Sequence, residues 1–214
     1  PIAAHQDVVR QAAEMLLAAD APMIHAGTGV VHAGAFDDLA RVAQLLDAPV
    51  TTSWGGRDCI DERSPSSIPL FDIELVNRVR NEADCVLALG TRFGETDWWG
   101  KPPSWRNASE QSLVQVDIDE LALGCNRPVD LAIVADIATF LPALASALVD
   151  APAETDPSER AALRASRLVG YGEAKRAGRA ALDAALTTDT DPLHSSRIAP
   201  LCQEVFDDDA VLVI

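Results

Sequence analysis

Ala83-Asp84-Cys85-Val86-Leu87-Ala88-Leu89-Gly90 is the stretch that decides the fold. An unbroken apolar run closed by a glycine predicts a strand, and apolarity that is continuous rather than alternating predicts that both its faces are covered. Such strands belong to parallel sheets flanked by helices. Outward from it, Met23-Ile24-His25-Ala26 runs into the tight turn Gly27-Thr28-Gly29, and Pro49-Val50-Thr51-Thr52 is a further strand. Leu113-Val114-Gln115-Val116-Asp117-Ile118 and Leu131-Ala132-Ile133-Val134 supply two more.

The intervening segments have helical periodicity. Residues 7–19 align Val9, Ala12, Ala13 and Leu16, with Asp7 as a candidate cap, and residues 33–47 align Phe36, Leu39, Ala40 and Ala43. A helix is predicted over 71–81, and another places Ile137, Phe140, Leu141, Leu144 and Leu148 on one face behind Asp136 as its cap. Strands and helices alternating at intervals of roughly 25 to 35 residues predict an α/β chain. The expected fold is a Rossmann-like, doubly wound parallel sheet of five to six strands with helices on both faces, followed by a C-terminal helical linker.

Asp150-Ala151-Pro152-Ala153-Glu154-Thr155-Asp156-Pro157 is small, polar and proline-bearing, as linkers are. A helix over 158–186, a turn over 187–192 and a helix carrying Ile198, Leu201, Cys202 and Val205 follow. The sequence then stops at Val211-Leu212-Val213-Ile214, which reads as a buried strand with nothing after it; the expectation is a piece of a longer polypeptide. The organisation expected is a domain over 1–150, a linker over 151–191 and the truncated start of another domain over 192–214.

A formal charge of −16 over 214 residues disfavours nucleic acid and anionic membranes as partners. No apolar run approaches the ~20 residues that span a bilayer, and Pro1-Ile2-Ala3-Ala4-His5 lacks the layout of a signal peptide, so a cytoplasmic location is expected. Cys59, Cys85, Cys125 and Cys202 are scattered without metal-ligand spacing and read as reduced, mostly buried thiols. The four histidines, His5, His25, His32 and His194, form no nucleophile, acid or metal pattern; no catalytic residue and no metal ligand is expected. Trp54, Trp98, Trp99 and Trp105 fall in predicted loops, where aromatics gather at a pocket mouth or an interface.

Two features suit a nucleotide. Gly27-Thr28-Gly29 would let backbone amides approach a pyrophosphate, although Gly34 comes too late for a full dinucleotide fingerprint and a plain strand-to-helix turn reads equally well. Asp117 and Asp119 stand where carboxylates accept bonds from a ribose diol, or where solvated strand ends carry acids. Residues 53–70, rich in glycine, proline and serine, form a long loop of the kind that faces a site.

Ala21-Pro-Met-Ile-His-Ala-Gly-Thr-Gly29, Leu46-Asp-Ala-Pro-Val-Thr-Thr52, Ala83-Asp-Cys-Val-Leu-Ala-Leu-Gly-Thr-Arg-Phe93, Val116-Asp-Ile-Asp119 and Ala135-Asp136, in that order, resemble the central domain of thiamin-diphosphate (TPP)-dependent enzymes of the acetolactate synthase type. The resemblance implies a parent enzyme that is a TPP- and Mg-dependent carboligase or decarboxylase of 2-keto acids, a transferase or a lyase. It implies that TPP and Mg lie outside this chain, between a pyrimidine-binding domain before it and a diphosphate-binding domain after it, in a homodimer or homotetramer. On that pattern a flavin or ADP, FAD in some members, would meet Gly27, Thr28 and Gly29 at its diphosphate, Gly90, Thr91 and Arg92 along its length, and Asp117, Ile118, Asp136 and Ile137 around its adenosine. Ser66-Ser67-Ile68-Pro69-Leu70-Phe71 stands where flavin-binding members carry a glycine-histidine-glycine segment, and Gly94-Glu95-Thr96-Asp97-Trp98 departs from them too. The expectation is a vestigial nucleotide site and a colourless protein. The alternative is a free-standing Rossmann-like nucleotide-binding or regulatory module.

Overall fold

The structure, a computed structural model, describes residues 1–152, 158–187, 195–207 and 209–210. In chain order it builds α1 (Gln6–Ala18), β1 (Pro22–Ala26), α2 (Thr28–Ala33), α3 (Phe36–Leu46), β2 (Val50–Thr52), α4 (Ile73–Glu82), β3 (Cys85–Leu89), β4 (Ser112–Asp117), β5 (Leu131–Val134), α5 (Ile137–Val149), α6 (Ser158–Leu186) and α7 (Ile198–Val205). The residues divide into two compact units, Pro1–Glu173 and Ala174–Ile214.

In the first unit all strand pairs are parallel and the order is β2-β1-β3-β4-β5. The continuous apolar runs become the central strands: every residue of β1 and β3 is buried. β5 lies at an edge and alternates, with Leu131 and Ile133 buried and Ala132 and Val134 exposed. At the opposite edge Val50 exchanges backbone bonds with Ser66 and Ile68, which occupies groups that an open edge strand would leave unpaired.

One face of the sheet presents Ile24, Ala26, Leu87, Leu89, Val114, Val116 and Ile133, packed against Leu16 of α1, Leu39 of α3 and Phe140 and Leu144 of α5. All five apolar residues expected on α5 are buried, and Asp136 caps it by accepting from the Ala138 N–H at 3.0 Å. The other face is covered by Leu75, Val76, Val79 and Arg80 of α4 and by residues 91–111, which contain only short 3-10 turns.

Several local expectations are replaced. His5 rather than Asp7 caps α1, accepting from the Asp7 N–H. The helix expected over 33–47 forms as α3, preceded by the separate short helix α2, which Gly34 ends by adopting φ +62°; the register turns Phe36 outward, leaving Leu39, Val42, Ala43 and Leu46 as the buried stripe of α3. Cys59 and Cys85 are buried as expected, but Cys125 is exposed and Cys202 half-buried.

The helix expected over 158–186 forms with those bounds. Within the first unit it is held by Tyr171, whose hydroxyl donates to Glu82 at 2.6 Å, and by Arg164, which donates to the Leu17 and Ala19 carbonyls at the end of α1, where a cation also complements the helix dipole. The second unit, by itself, contains an Arg179–Asp183 ion pair at 2.8 Å and α7, whose Ile198 and Val205 are exposed. Residues 153–157 of the linker, most of the turn expected over 187–192, and the terminal run Val211–Ile214 lie outside the described residues. Among the described residues no helix is long and apolar enough to cross a membrane.

Candidate functional site

The chain leaves β1 toward β2 on one side and, from β3, builds outward on the other, so a crevice opens beyond the carboxyl ends of β1 and β3. Such a reversal is where open α/β sheets accept ligands. Here it is a cleft of about 440 Å³, within the ordinary range for small-molecule pockets. Thr28 and Gly29 after β1, Gly90, Thr91 and Arg92 after β3, and Asp117 and Ile118 at the end of β4 line it. Ile137 lies just behind, its Cδ1 3.3 Å from where a Cβ on Gly29 would stand. Asp136 is not among the lining residues; its carboxylate caps α5 and its N–H donates to the Ile2 carbonyl at 2.8 Å.

The glycines are needed by the chain itself. The Gly27 N–H donates to the Leu89 carbonyl at 2.8 Å, the Gly29 N–H to the Gly90 carbonyl at 3.1 Å, and the Gly90 N–H to the Val116 carbonyl at 2.9 Å. A Cβ on Gly29 would come within 2.6 Å of the Gly90 Cα, and one on Gly27 within 2.7 Å of the Thr91 Cβ. Gly90 is also at φ +57°. The turns after β1 and β3 therefore touch backbone to backbone, which requires glycine whether or not a ligand is present. The acids at the end of β4 are likewise engaged: Asp117 accepts from the Asp119 N–H and Asp119 from the Leu121 N–H, each at 3.0 Å, while Ile118 between them is 59% exposed.

Asp119, read with Asp117 as a strand-end acid, lines the cleft too, as do residues not singled out as site residues from the sequence: His32, Ser53, Gly55, Thr96 and Asp97. Ser53 and Gly55 come from the long loop over 53–70, and Gly55 packs against the Thr28 side chain. Asp97 matters most. Its Oδ1 is 3.2 Å from Arg80 Nη2 and 3.3 Å from His25 Nε2, the Thr91 hydroxyl donates to its Oδ2 at 3.5 Å, and its backbone carbonyl accepts from Trp105 Nε1 at 2.8 Å. His25 Nδ1 lies 3.0 Å from the Thr51 hydroxyl. His25 also stacks on Phe93 at 5.5 Å between ring centroids and meets the Trp105 edge at 5.1 Å, and the Arg80 guanidinium sits 4.4 Å over Trp105. Trp105 is thus in the core, while Trp54 and Trp99 stand at the surface.

Burial pushes the His25 imidazole below its ordinary value, outweighing the Asp97 carboxylate beside it, so the ring is neutral near pH 7. Burial alone would raise the Asp97 carboxyl, but His25, Arg80 and Thr91 together hold it below the usual carboxylate range, so it is ionised. Burial lowers Arg80 to about 10, still charged at neutral pH. No polar group of this cluster other than the edge of Asp97 and Thr91 reaches the cleft. Burial pushes the Cys59 and Cys85 thiols up to about 12, which makes them inert. Among the described residues no group of three or more His, Cys, Asp or Glu could hold a metal ion.

Comparison with known proteins agrees with this architecture. The chain is 29% identical over 153 residues to a probable acetolactate synthase large subunit of Methanocaldococcus jannaschii, covering 68% of this chain and 24% of that protein. It is 33% identical to a sulfoacetaldehyde acetyltransferase of Rhodobacter capsulatus, covering 71% and 26%, and 34% identical to a probable 2-ketoarginine decarboxylase of Pseudomonas aeruginosa, covering 76% and 28%. A solved protein of Mycobacterium smegmatis, described as a thiamin diphosphate-dependent enzyme, superposes with a TM-score of 0.54 at 27% identity, over 73% of this chain and 30% of that one. The chain spans about a quarter of the length of these curated relatives. The family model for the thiamine pyrophosphate enzyme central domain matches residues 9–144, from α1 through the core of α5, and the chain belongs to that family.

Proposed function

We propose that this chain is the structural middle domain of a TPP- and Mg-dependent, acetolactate synthase-like carboligase or decarboxylase of 2-keto acids, and that it holds no catalytic residue itself. The observation that carries the reading is the family match over 9–144 together with relatives of which the matched segment spans only about a quarter, among them a synthase, an acetyltransferase and a decarboxylase. The residues here do not fit TPP and Mg: the described ones offer no carboxylate or imidazole cluster for the metal, and the buried Asp97 carboxylate is already engaged by His25 and Arg80. TPP, when bound, supplies an electron sink for decarboxylation; its contacts belong to pyrimidine-binding and diphosphate-binding domains elsewhere in a cytoplasmic homodimer or homotetramer. Within this chain the organisation is a central domain over 1–150, a helical linker over 151–191 and the start of the diphosphate-binding domain over 192–214.

The cleft is read as a vestigial nucleotide site. Gly27, Gly29 and Gly90, whose N–H groups would cradle a diphosphate, all donate within the chain, and α2 offers only a short helix to an anion. Arg92 remains as the cation that could pair with phosphate, with Asp117 and Ile118 at the adenosine end. The test is to express the whole gene product and measure carbon dioxide release from 2-keto acids with and without TPP and Mg. Release that requires both is expected, from a protein with no flavin absorbance. TPP-independent release refutes the enzyme assignment, and stoichiometric flavin refutes the vestigial site.

A further inference from the structure

The second face of the sheet is polar where such faces are ordinarily apolar. Thr51, His25, Ala88 and Gln115 stand side by side across β2, β1, β3 and β4, and Thr51, His25 and Gln115 are all buried. A helix laying an apolar stripe over this row would leave an imidazole and an amide without partners. Residues 91–111 cover it instead. Gln115 Nε2 donates to the Thr91 and Ala122 carbonyls at 2.9 and 3.2 Å, its Oε1 accepts from the Gly124 N–H at 2.9 Å, and His25 faces Asp97.

We infer that residues 91–100 form a strap, latched from beneath by the Asp97 carboxylate, that sets the wall of the cleft from inside the core. The strap carries Arg92 and Thr96 to the cleft on one side and Asp97 to the polar row on the other. Phe93, Trp98 and Trp99 all lie at φ +50°, in the left-handed region that side chains with a Cβ avoid, so the strap has a conformational reason to relax once released. The groups facing Asp97 are His25 from β1, Arg80 from α4 and Thr91 from the end of β3, with Thr51 behind His25. Arg127 closes the far end, donating to the carbonyls of Gly100 and Arg106 and to Gln111 Oε1.

Charge holds the latch. Arg80 is fully buried, its Nε and Nη1 have no hydrogen-bond partner, and Asp97 is the anion beside it; a neutral residue of the same shape would leave the guanidinium uncompensated. Acid acts in the same direction. Protonating Asp97, which His25, Arg80 and Thr91 hold below the usual carboxylate range, removes the charge that holds the latch, so the latch weakens as the pH falls below about 4.

Hydrogen–deuterium exchange on the full chain tests this, with protection corrected for intrinsic rates between pH 8 and pH 3. In Asp97→Asn at pH 7, amides 91–100 are expected to lose at least tenfold protection while α1 and α5 keep theirs, and the further loss below about pH 4 that Asp97 protonation causes is absent. Wild-type protection of 91–100 in that variant overturns the inference. Should Asp97→Asn fail to fold, the wild-type profile decides: strap protection lost at higher pH than that of α1 and α5 supports the latch, and simultaneous loss overturns it. Neither readout depends on any ligand or on the activity of the parent enzyme.

Discussion

Gly29 and Gly90 each exclude a side chain from the other. Adding a methyl group at Gly29 drives it to 2.6 Å from the Gly90 Cα, with no flexible side chain to yield, so Gly29→Ala is expected to destabilise the fold by about 1–3 kcal/mol. Gly34 is the control: it has open space around its Cβ position but sits at φ +62°, so Gly34→Ala is expected to cost about 1 kcal/mol through backbone strain alone. Urea denaturation of the two variants distinguishes crowding from strain. The glycines were legible in the sequence as a tight turn. Their reason was not, because a turn after β1 and a turn after β3 meet only in three dimensions, and it is that meeting that occupies the amides a phosphate would need.

Among the elements, α5 was the most legible and residues 91–111 the least. The α5 stripe has helical spacing and an aspartate one residue before it, and both local rules agree with the packing. Phe140→Ala is expected to cost about 3–5 kcal/mol, since the ring is fully buried where α5 meets the sheet. Asp136→Ala removes the cap alone, and thermal melts should place that loss near 1 kcal/mol. Residues 91–111 have no periodicity to read. Their order comes from buried polar pairs made with distant residues, Asp97 with Arg80 and Gln115 with the Thr91 carbonyl, so Asp97 carried no sequence signal beyond being one acid in a loop. Trp105 misled for the same reason: a loop residue by pattern, it is a core residue by contact.

At the scale of the molecule, the buried titratable groups bound the pH range of stability from both sides. His25 and Asp97 are lowered in the native state, so the stability they confer is complete above their ordinary values and lost as the pH falls, from about 6.5 for His25 and from about 4 for Asp97. Cys59 and Cys85 are raised from 9.0 to about 12, so their contribution is complete below pH 9 and lost above it. Melting temperatures across pH 4 to 11 should show a plateau between about 6.5 and 9, and a maximum outside that window would contradict the network.

The sheet's parallel order and its family were readable from the sequence because each strand announces itself and the segments keep a fixed order; what the cleft holds was not, because pairing within the chain decides it. The central claim is that this domain supports TPP chemistry without taking part in it. Titration calorimetry of TPP with Mg into the 214-residue chain and into the whole gene product tests that claim most directly. No heat of binding to the chain and saturable binding to the whole protein is the result predicted; saturable binding to the chain alone would contradict it.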